Sequence, residues 1–318
     1  MSRDTDLMAA WPALSYARLA PTAETLRLWT QVVGKVAVAR SPWLNHSWHL
    51  TLRVSARGLM TPLIPAGAIS VQLEFDFVDQ ALVVRCTDGG ERRVALAPGT
   101  VAGFYAEAMD ALGALGAATR IVPWPNEVID PCRFPDDHER RAYEPEVAWE
   151  FWRALVQIER VFARFRTRFI GKNSPIHFFW GSADLASTRF SGRRAPLHPG
   201  GIPNLPDVVT QEAYSHEVSS AGFWAGDPGT PEPSFYAYAY PTPEGFGEAK
   251  VAPARARFDA RLGEFVLPYE AVRTAADPDE ALLAFLQTTY DAAAGLAAWD
   301  RAALEREEGP VGRPPKIF

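Results

Sequence analysis

Residues 174–194, SPIHFFWGSADLASTRFSGRR, set His177, Asp184, Arg189, Arg193 and Arg194 into an apolar, strongly aromatic run. A core strand hides its aromatics and leaves charge to its neighbours, whereas a ligand site wants an apolar wall with a few convergent polar groups. Extended chain from Ile176 alternates its side chains, with His177 and Phe179 on one face and Phe178 and Trp180 on the other. A second polar insertion, QEAYSHEVSSAGFW, read as a strand aligns Glu212, Tyr214, His216 and Val218 and turns Glu217 away. Two histidines on neighbouring strands could pass protons or ligate a metal near neutral pH, which makes His177, His216 and Glu217 the candidate catalytic groups. For a metal, His177 and His216 would be ligands with Glu212 as the carboxylate; Glu217 would need a bulge, and His198 is an outside candidate. A core histidine held by a backbone carbonyl is the plainer alternative.

The arginines form a second constellation. Arg189, Arg193 and Arg194 surround a Ser191-Gly192 turn, and a guanidinium fork there could grip a carboxylate or phosphate at two points. Lys172 precedes the same strand, and Tyr214, Trp224, Tyr236, Tyr238 and Tyr240 add aromatic surface. The expected substrate-binding residues are thus Lys172, Arg189, Arg193, Tyr214 and Trp224, for a small anionic or aromatic ligand. Solvated loop charges paired to Asp184 or Glu217, and ordinary sheet packing of the tyrosines, are the competing explanations. Gly-x-Gly-x-x-Gly, a phosphate loop, a Gly-x-Ser-x-Gly elbow and HExxH are all absent, which weakens nucleotide, serine-hydrolase and metalloprotease readings.

The elements that would position these residues are helices and antiparallel strands. Residues 145–170 repeat Val147, Phe151, Leu155, Ile158, Phe162, Phe165 and Phe169 at steps of three and four, one face of a long helix that starts at Pro145 and stops at Gly171. Strands are expected at 176–190, 212–223 and 235–240, then GEFVLPYEAV and a closing helix DEALLAFLQTTYDAAAGL. The first half runs in a similar order: a helix over 23–33, Gly34-Lys35, Ser41-Pro42, the strand NHSWHLTLRVS, strands at 69–77 and 81–86, and the helix TVAGFYAEAMDALGAL. Gly171-Lys172, Ser174-Pro175 and IHFFWGS mirror the first part of that series, with His46 and His49 as repeat-equivalent positions. The expected fold is α+β, two pseudo-repeated halves, each helix, antiparallel strands, helix. The halves cover 1–122 and 145–304, the second carrying the candidate site, with a proline-rich linker at 123–144 and a loosely held tail at 305–318.

Composition narrows the class. With 318 residues, 47% of them hydrophobic, the chain can bury a sizeable core, and the net charge of −6 opposes non-specific nucleic-acid binding. Cys86 and Cys132 suit neither a disulfide scaffold nor a cysteine zinc site. No segment approaches the roughly 18 uninterrupted apolar residues of a spanning helix, and MSRDTDLMAAWPALS lacks the basic-then-apolar order of a leader, so a cytoplasmic location without a membrane partner is expected.

The runs FIGKNSPIHFFWGSADLASTRFSGRRAP, EAYSHEVSSAGFWAG, FYAYAYPTPEGF, GEFVLPYEAVR, NHSWHLTLRVSARGLMT and FDFVDQALVV resemble a bacterial family known only as a domain of unknown function, number five-nine-nine-six. The resemblance covers nearly the whole chain but implies no activity, cofactor or catalytic residue. Ala225 stands where the family is expected to have proline in Phe-Trp-Pro-Gly. The sequence therefore supports three functions: a small-molecule enzyme, with or without a metal; a non-catalytic binding or sensing protein using the same pocket; and a protein-interaction module.

Overall fold

The structure, a computed structural model, describes residues 10–309 and 311–313. Its first sheet is built from β1 (Arg53–Val54), β2 (Gly58–Met60), β3 (Ile64–Ala66), β4 (Ile69–Asp76), β5 (Ala81–Cys86) and β6 (Glu91–Ala95), in the order β1-β2-β4-β5-β6 with β3 also on β4. The second runs β13-β14-β12-β11-β10-β9, from β9 (His177–Phe179), β10 (Asp184–Arg194), β11 (His216–Trp224), β12 (Ser234–Tyr240), β13 (Arg257–Asp259) and β14 (Glu264–Pro268). Both are antiparallel throughout. Leu52, just before β1, exchanges two backbone hydrogen bonds with Phe178 of β9, at 3.0 and 2.8 Å, and so joins the sheets edge to edge.

Helix α1 (Tyr16–Arg40) precedes the first sheet, and α2 (Val101–Ala114) follows it. A two-residue ribbon, β7 (Gly99–Thr100) with β8 (Arg140–Arg141), closes that half. Helix α3 (Pro145–Thr167) buries the predicted stripe from Val147 to Phe165, and the arginines of its last turn complement the helix dipole. It ends one turn before Gly171, where a β-carbon would lie 2.5 Å from Leu304, so that glycine answers to packing and not to a cap. Beyond the second sheet come α4 (Asp207–Ala213) in the β10–β11 connection, then α5 (Tyr269–Arg273), α6 (Pro278–Leu296) and α7 (Arg301–Leu304). Helix α3 touches α1, α6, β1, β2 and β10, and one continuous hydrophobic core runs through both halves.

Four local expectations change. Residues 176–190 are a hairpin, β9 turning to β10 through 180–183 with Ala183 at φ 58°. Glu212 belongs to α4 and Tyr214 caps it, so the strand of His216 begins four residues late and its supposed face with Glu212 and Tyr214 does not exist. His46 lies in a 3-10 turn at φ 58°, and extended chain begins only near Leu52. The α+β class stands, but the expected repeat is not seen: one sheet runs β1-β2-β4-β5-β6 with β3 beside β4, the other β13-β14-β12-β11-β10-β9. Of the expected tail, Glu308 pairs with Arg164 and Arg168, while residues 310 and 314–318 lie outside the described residues.

Candidate functional site

The two faces of the second sheet differ. Leu185, Ser187 and Arg189 of β10, with Phe223, Phe235 and Leu267, point toward the core side, and alternation sends Asp184, Ala186, Thr188 and Phe190 to the other. Register then lays out rows on that outer face: His177–Ala186–Gly222–Tyr236, Asp184–Trp224, and Thr188–Ser220–Tyr238. The outer face is largely covered. Residues 45–50, the linker around Asn126 and Glu127, and the 195–213 connection with α4 roof it and enclose a cavity of about 480 Å³.

Each roof element is pinned by chemistry specific to it. On α1, Arg27, Gln31 and Lys35 recur every four residues and form one polar stripe. Gln31 exchanges hydrogen bonds with the Asn126 backbone at 2.7 and 3.0 Å, Lys35 reaches the Asn126 side chain, and Arg27 reaches the Glu127 carbonyl at 3.1 Å. Glu127 is thereby held at φ 60°, a conformation that costs a non-glycine residue energy and persists only where surroundings fix it. Its carboxylate lies against Gly181, where a β-carbon would stand 1.9 Å from Oε1. Helix α4 is tied to the His46 turn: the Glu212 carboxylate accepts the His46 N–H at 2.7 Å, and the His46 ring donates from Nδ1 to the Ala213 carbonyl at 3.0 Å. That tautomer leaves Nε2 to accept from Lys172.

Inside, polar groups sit among aromatic rings. Gly222 has no side chain, so the Tyr236 ring crosses it and the phenol donates to Asp184 two strands away, a span of about 9–10 Å. Ser182 donates to the other Asp184 oxygen at 2.5 Å. The Tyr214 and Tyr238 hydroxyls are 2.8 Å apart, and so are those of Thr188 and Ser220. Burial pushes the Asp184 carboxyl up against the pull of Ser182 and Tyr236. Burial and then the Asp184 charge push Glu127 to about 7. Burial, then Asp184 and Asp259, push Glu264 at the start of β14 to about 7 as well. Among the described residues neither glutamate side chain has a hydrogen bond favouring its ionised form.

His177 lines the same cavity at 0% exposure, and neither ring nitrogen has a partner. Burial, with Arg53 and Arg166 nearby, pushes it down to about 3, so it is a neutral imidazole offering one donor and one acceptor.

The model of a family described as "Family of unknown function (DUF5996)" matches residues 11–306. The chain belongs to that family. The match spans every wall of the cavity, from the His46 turn to Glu264. No curated protein and no solved structure matches the chain.

Among the residues singled out from sequence, His46, His177, Asp184, Tyr214, Trp224, Tyr236 and Tyr238 line the cavity, whereas Lys172, Arg189, Arg193, Glu212, His216 and Glu217 do not. His177 and His216 are not on neighbouring strands, because β10 lies between them. Through Ala186, His177 is level with Gly222, six residues from His216, which separates the two by about 20 Å along the strands. Glu212 is committed to the His46 amide, so His177, His216 and Glu212 do not converge, and no group of three or more metal-ligating side chains occurs among the described residues. Glu217 binds Ser191 and Arg193, and Arg193 spends its remaining donors on the Ala297 and Ala298 carbonyls at 2.6 and 3.2 Å, where it caps the end of α6. Arg189 points the other way, 1% exposed, donating to the Phe165 carbonyl with its guanidinium 3.5 Å from the Phe165 ring centroid and 4.3 Å from that of Tyr290. Lys172 packs over Phe190 and Trp48 at the rim. The expected anion clamp therefore does not form at the cavity, because alternation and helix capping take its arginines elsewhere.

Sequence reading missed Glu127 and Glu264 and gave Asp184 only an ion-pairing role. Glu127 stands in a proline-rich loop with no periodicity to place it. Glu264 opens a strand whose face depends on pairing with β12.

Proposed function

We propose that this chain binds a small organic molecule in the roofed cavity of its second sheet. The supporting observation is His177: a wholly buried imidazole with both nitrogens unpartnered, in an aromatic cavity of about 480 Å³, a volume within the usual range for ligand pockets. Leaving such a group unsatisfied costs about 1–3 kcal/mol, a cost that a ligand with matching donors and acceptors removes. A cytoplasmic role without nucleic acid is part of this reading, and the net charge of −6 favours it.

A second reading, an enzyme, is favoured by one further observation. Glu127 and Glu264 both titrate near 7, the range in which a carboxylate serves as general base at physiological pH. On that reading Glu127 or Glu264 accepts a substrate proton while Tyr236 and Ser182 keep Asp184 oriented. Glu217 and Arg193 hold the end of α6, and with His216 they stay out of the chemistry.

The test is a thermal-shift screen of small aromatic compounds of all charge types on the wild type and on Ala186→Phe, which fills the cavity from its floor. Shifts present in the wild type and lost in the variant support the reading. Equal shifts in the two proteins place binding elsewhere and reject it.

A further inference from the structure

Four acidic residues from separate parts of the chain, Glu127, Asp184, Asp227 and Glu264, line the cavity, and no lysine or arginine does. Asp184 is buried, Glu127 and Glu264 are half-buried and Asp227 is exposed; like charges with so little water around the first three repel one another, an arrangement that is unfavourable until a positive charge enters. The aromatic lining suits the same visitor. The rings of Trp48, Tyr214, Trp224, Tyr236 and Tyr238 present π-faces, which attract cations and also cover an apolar body.

His177 is an independent observation pointing the same way. It stands diagonally across from Asp184 on the β9–β10 pair, Ala186 being its direct partner. Its unpartnered ring stays neutral beside Arg53 and Arg166, so it offers a lone pair to an N–H donor on the side of its diagonal neighbour Asp184.

We infer that the cavity's ligand is an organic cation, an amine whose ammonium head sits between Glu127 and Asp184 at the His177 end of the cavity, with its apolar body against the tyrosines of β12 and Glu264 three strands away at the other end. This rests on the proposed small-molecule cavity and names the ligand's class. It also reverses the charge expected from the arginines of residues 189–194. Binding draws the carboxyl groups into their ionised form, so affinity rises with pH through the range in which they titrate.

The test is calorimetry and thermal shift with phenethylamine, tyramine and benzyltrimethylammonium, against 2-phenylethanol and 3-phenylpropanoate as neutral and anionic counterparts. At about pH 8, where carboxylates near 7 are ionised, the three cations bind more tightly than the alcohol, and the carboxylate does not bind. At about pH 5.5 cation affinity falls roughly tenfold or more. Asp184→Asn and Glu127→Gln each weaken the cations about tenfold without weakening the alcohol. His177→Phe keeps an aromatic ring, removes the acceptor, and weakens phenethylamine while leaving benzyltrimethylammonium, which has no N–H, unchanged. If 2-phenylethanol or 3-phenylpropanoate binds as tightly as phenethylamine, the cation inference is wrong and the cavity reading survives. If no probe of any charge binds, or all bind Ala186→Phe equally, the cavity reading falls and takes the inference with it.

Discussion

The two sheets are both antiparallel with a helix-backed core face, yet their outer faces follow opposite chemistry. On the first sheet, outward positions of β4, β5 and β6 carry Glu74, Asp76, Arg85, Glu91 and Arg93. With Arg57 and Asp79 these form a chain of ion pairs at 2.5 to 3.2 Å, most of it solvent-exposed. On the second sheet, the outward positions carry Tyr236, Tyr238, Trp224, Asp184 and Glu264, and the roof covers them, leaving Asp184 buried and the others half-buried. Where charges remain in water, opposite signs pair cheaply and contribute little. Where they are enclosed, like-signed carboxyls raise one another's proton affinity and store a preference for a counterion. The difference teaches that a sheet becomes a site through what covers it.

The largest expected effect that would break this contrast is steric. Gly222→Leu places a side chain where even a β-carbon would lie 2.3 Å from the Tyr236 phenol, and should cost about 2–3 kcal/mol in denaturant unfolding. It should also abolish probe binding, since Tyr236 leaves Asp184. An unperturbed variant would mean that the Tyr236–Asp184 crossing is not a feature of the folded protein.

Next comes pH, where the two faces should respond with opposite sign. Glu264, raised in the fold to about 7, holds its proton more tightly folded than unfolded. Its contribution is therefore full below about pH 4.5 and lost as pH rises to about 7, so the stability difference between Glu264→Gln and wild type should shift toward the variant by about 2–3 kcal/mol over that window. Burial pulls Asp76 of the first sheet upward, but Arg57 and the amides of Asp79 and Val78 more than offset it and hold it below its usual range. Its contribution is present above the ordinary carboxylate value and lost as pH falls, so Asp76→Asn should be costly at neutral pH and nearly free in acid. Parallel profiles for the two variants would erase the distinction drawn between the faces.

Smaller effects sharpen the comparison. Thr188→Val and Ser220→Ala each remove one side of a 2.8 Å hydrogen bond inside the cavity, and should cost about 1 kcal/mol singly, with a double-mutant coupling of about 0.5–1.5 kcal/mol. Arg93→Ala on the first sheet breaks two pairs of a side chain that is 48% exposed, and should cost less than about 1 kcal/mol, vanishing in about 1 M salt. Salt-insensitive loss at Arg93 would show that the exposed ladder is coupled to the core after all.

Much of the scaffold was legible. The three-and-four spacing of Val147 to Phe165 gave α3 because helix periodicity is local and its apolar face needs only some partner. Tyr236, Tyr238 and Tyr240 were correctly placed on one strand face by the same kind of argument with period two. Failure began where chain direction mattered. Gly181 and Ser182 break residues 176–190 into a hairpin, and α4 displaces the start of the His216 strand; each shift moves side chains to a different face or row. Arg189 shows the consequence: in sequence it belongs with Arg193, in space with Phe165 and Tyr290.

By itself the sequence determined the α+β class, the long helix, the antiparallel strands, the membership in a family of unknown function and the presence of His177 in an aromatic wall. These follow from periodicity, turn residues and composition, which act over a few residues. Tertiary structure alone decided that a loop glutamate at 127, a strand-edge aspartate at 184 and a glutamate at 264 share one enclosure, and that the arginines do not. Convergence of groups separated by more than a hundred residues depends on strand order, on register and on which loop folds back as a roof. The charge of a site is the sum over those that converge, so its sign appears only once the chain has closed around it.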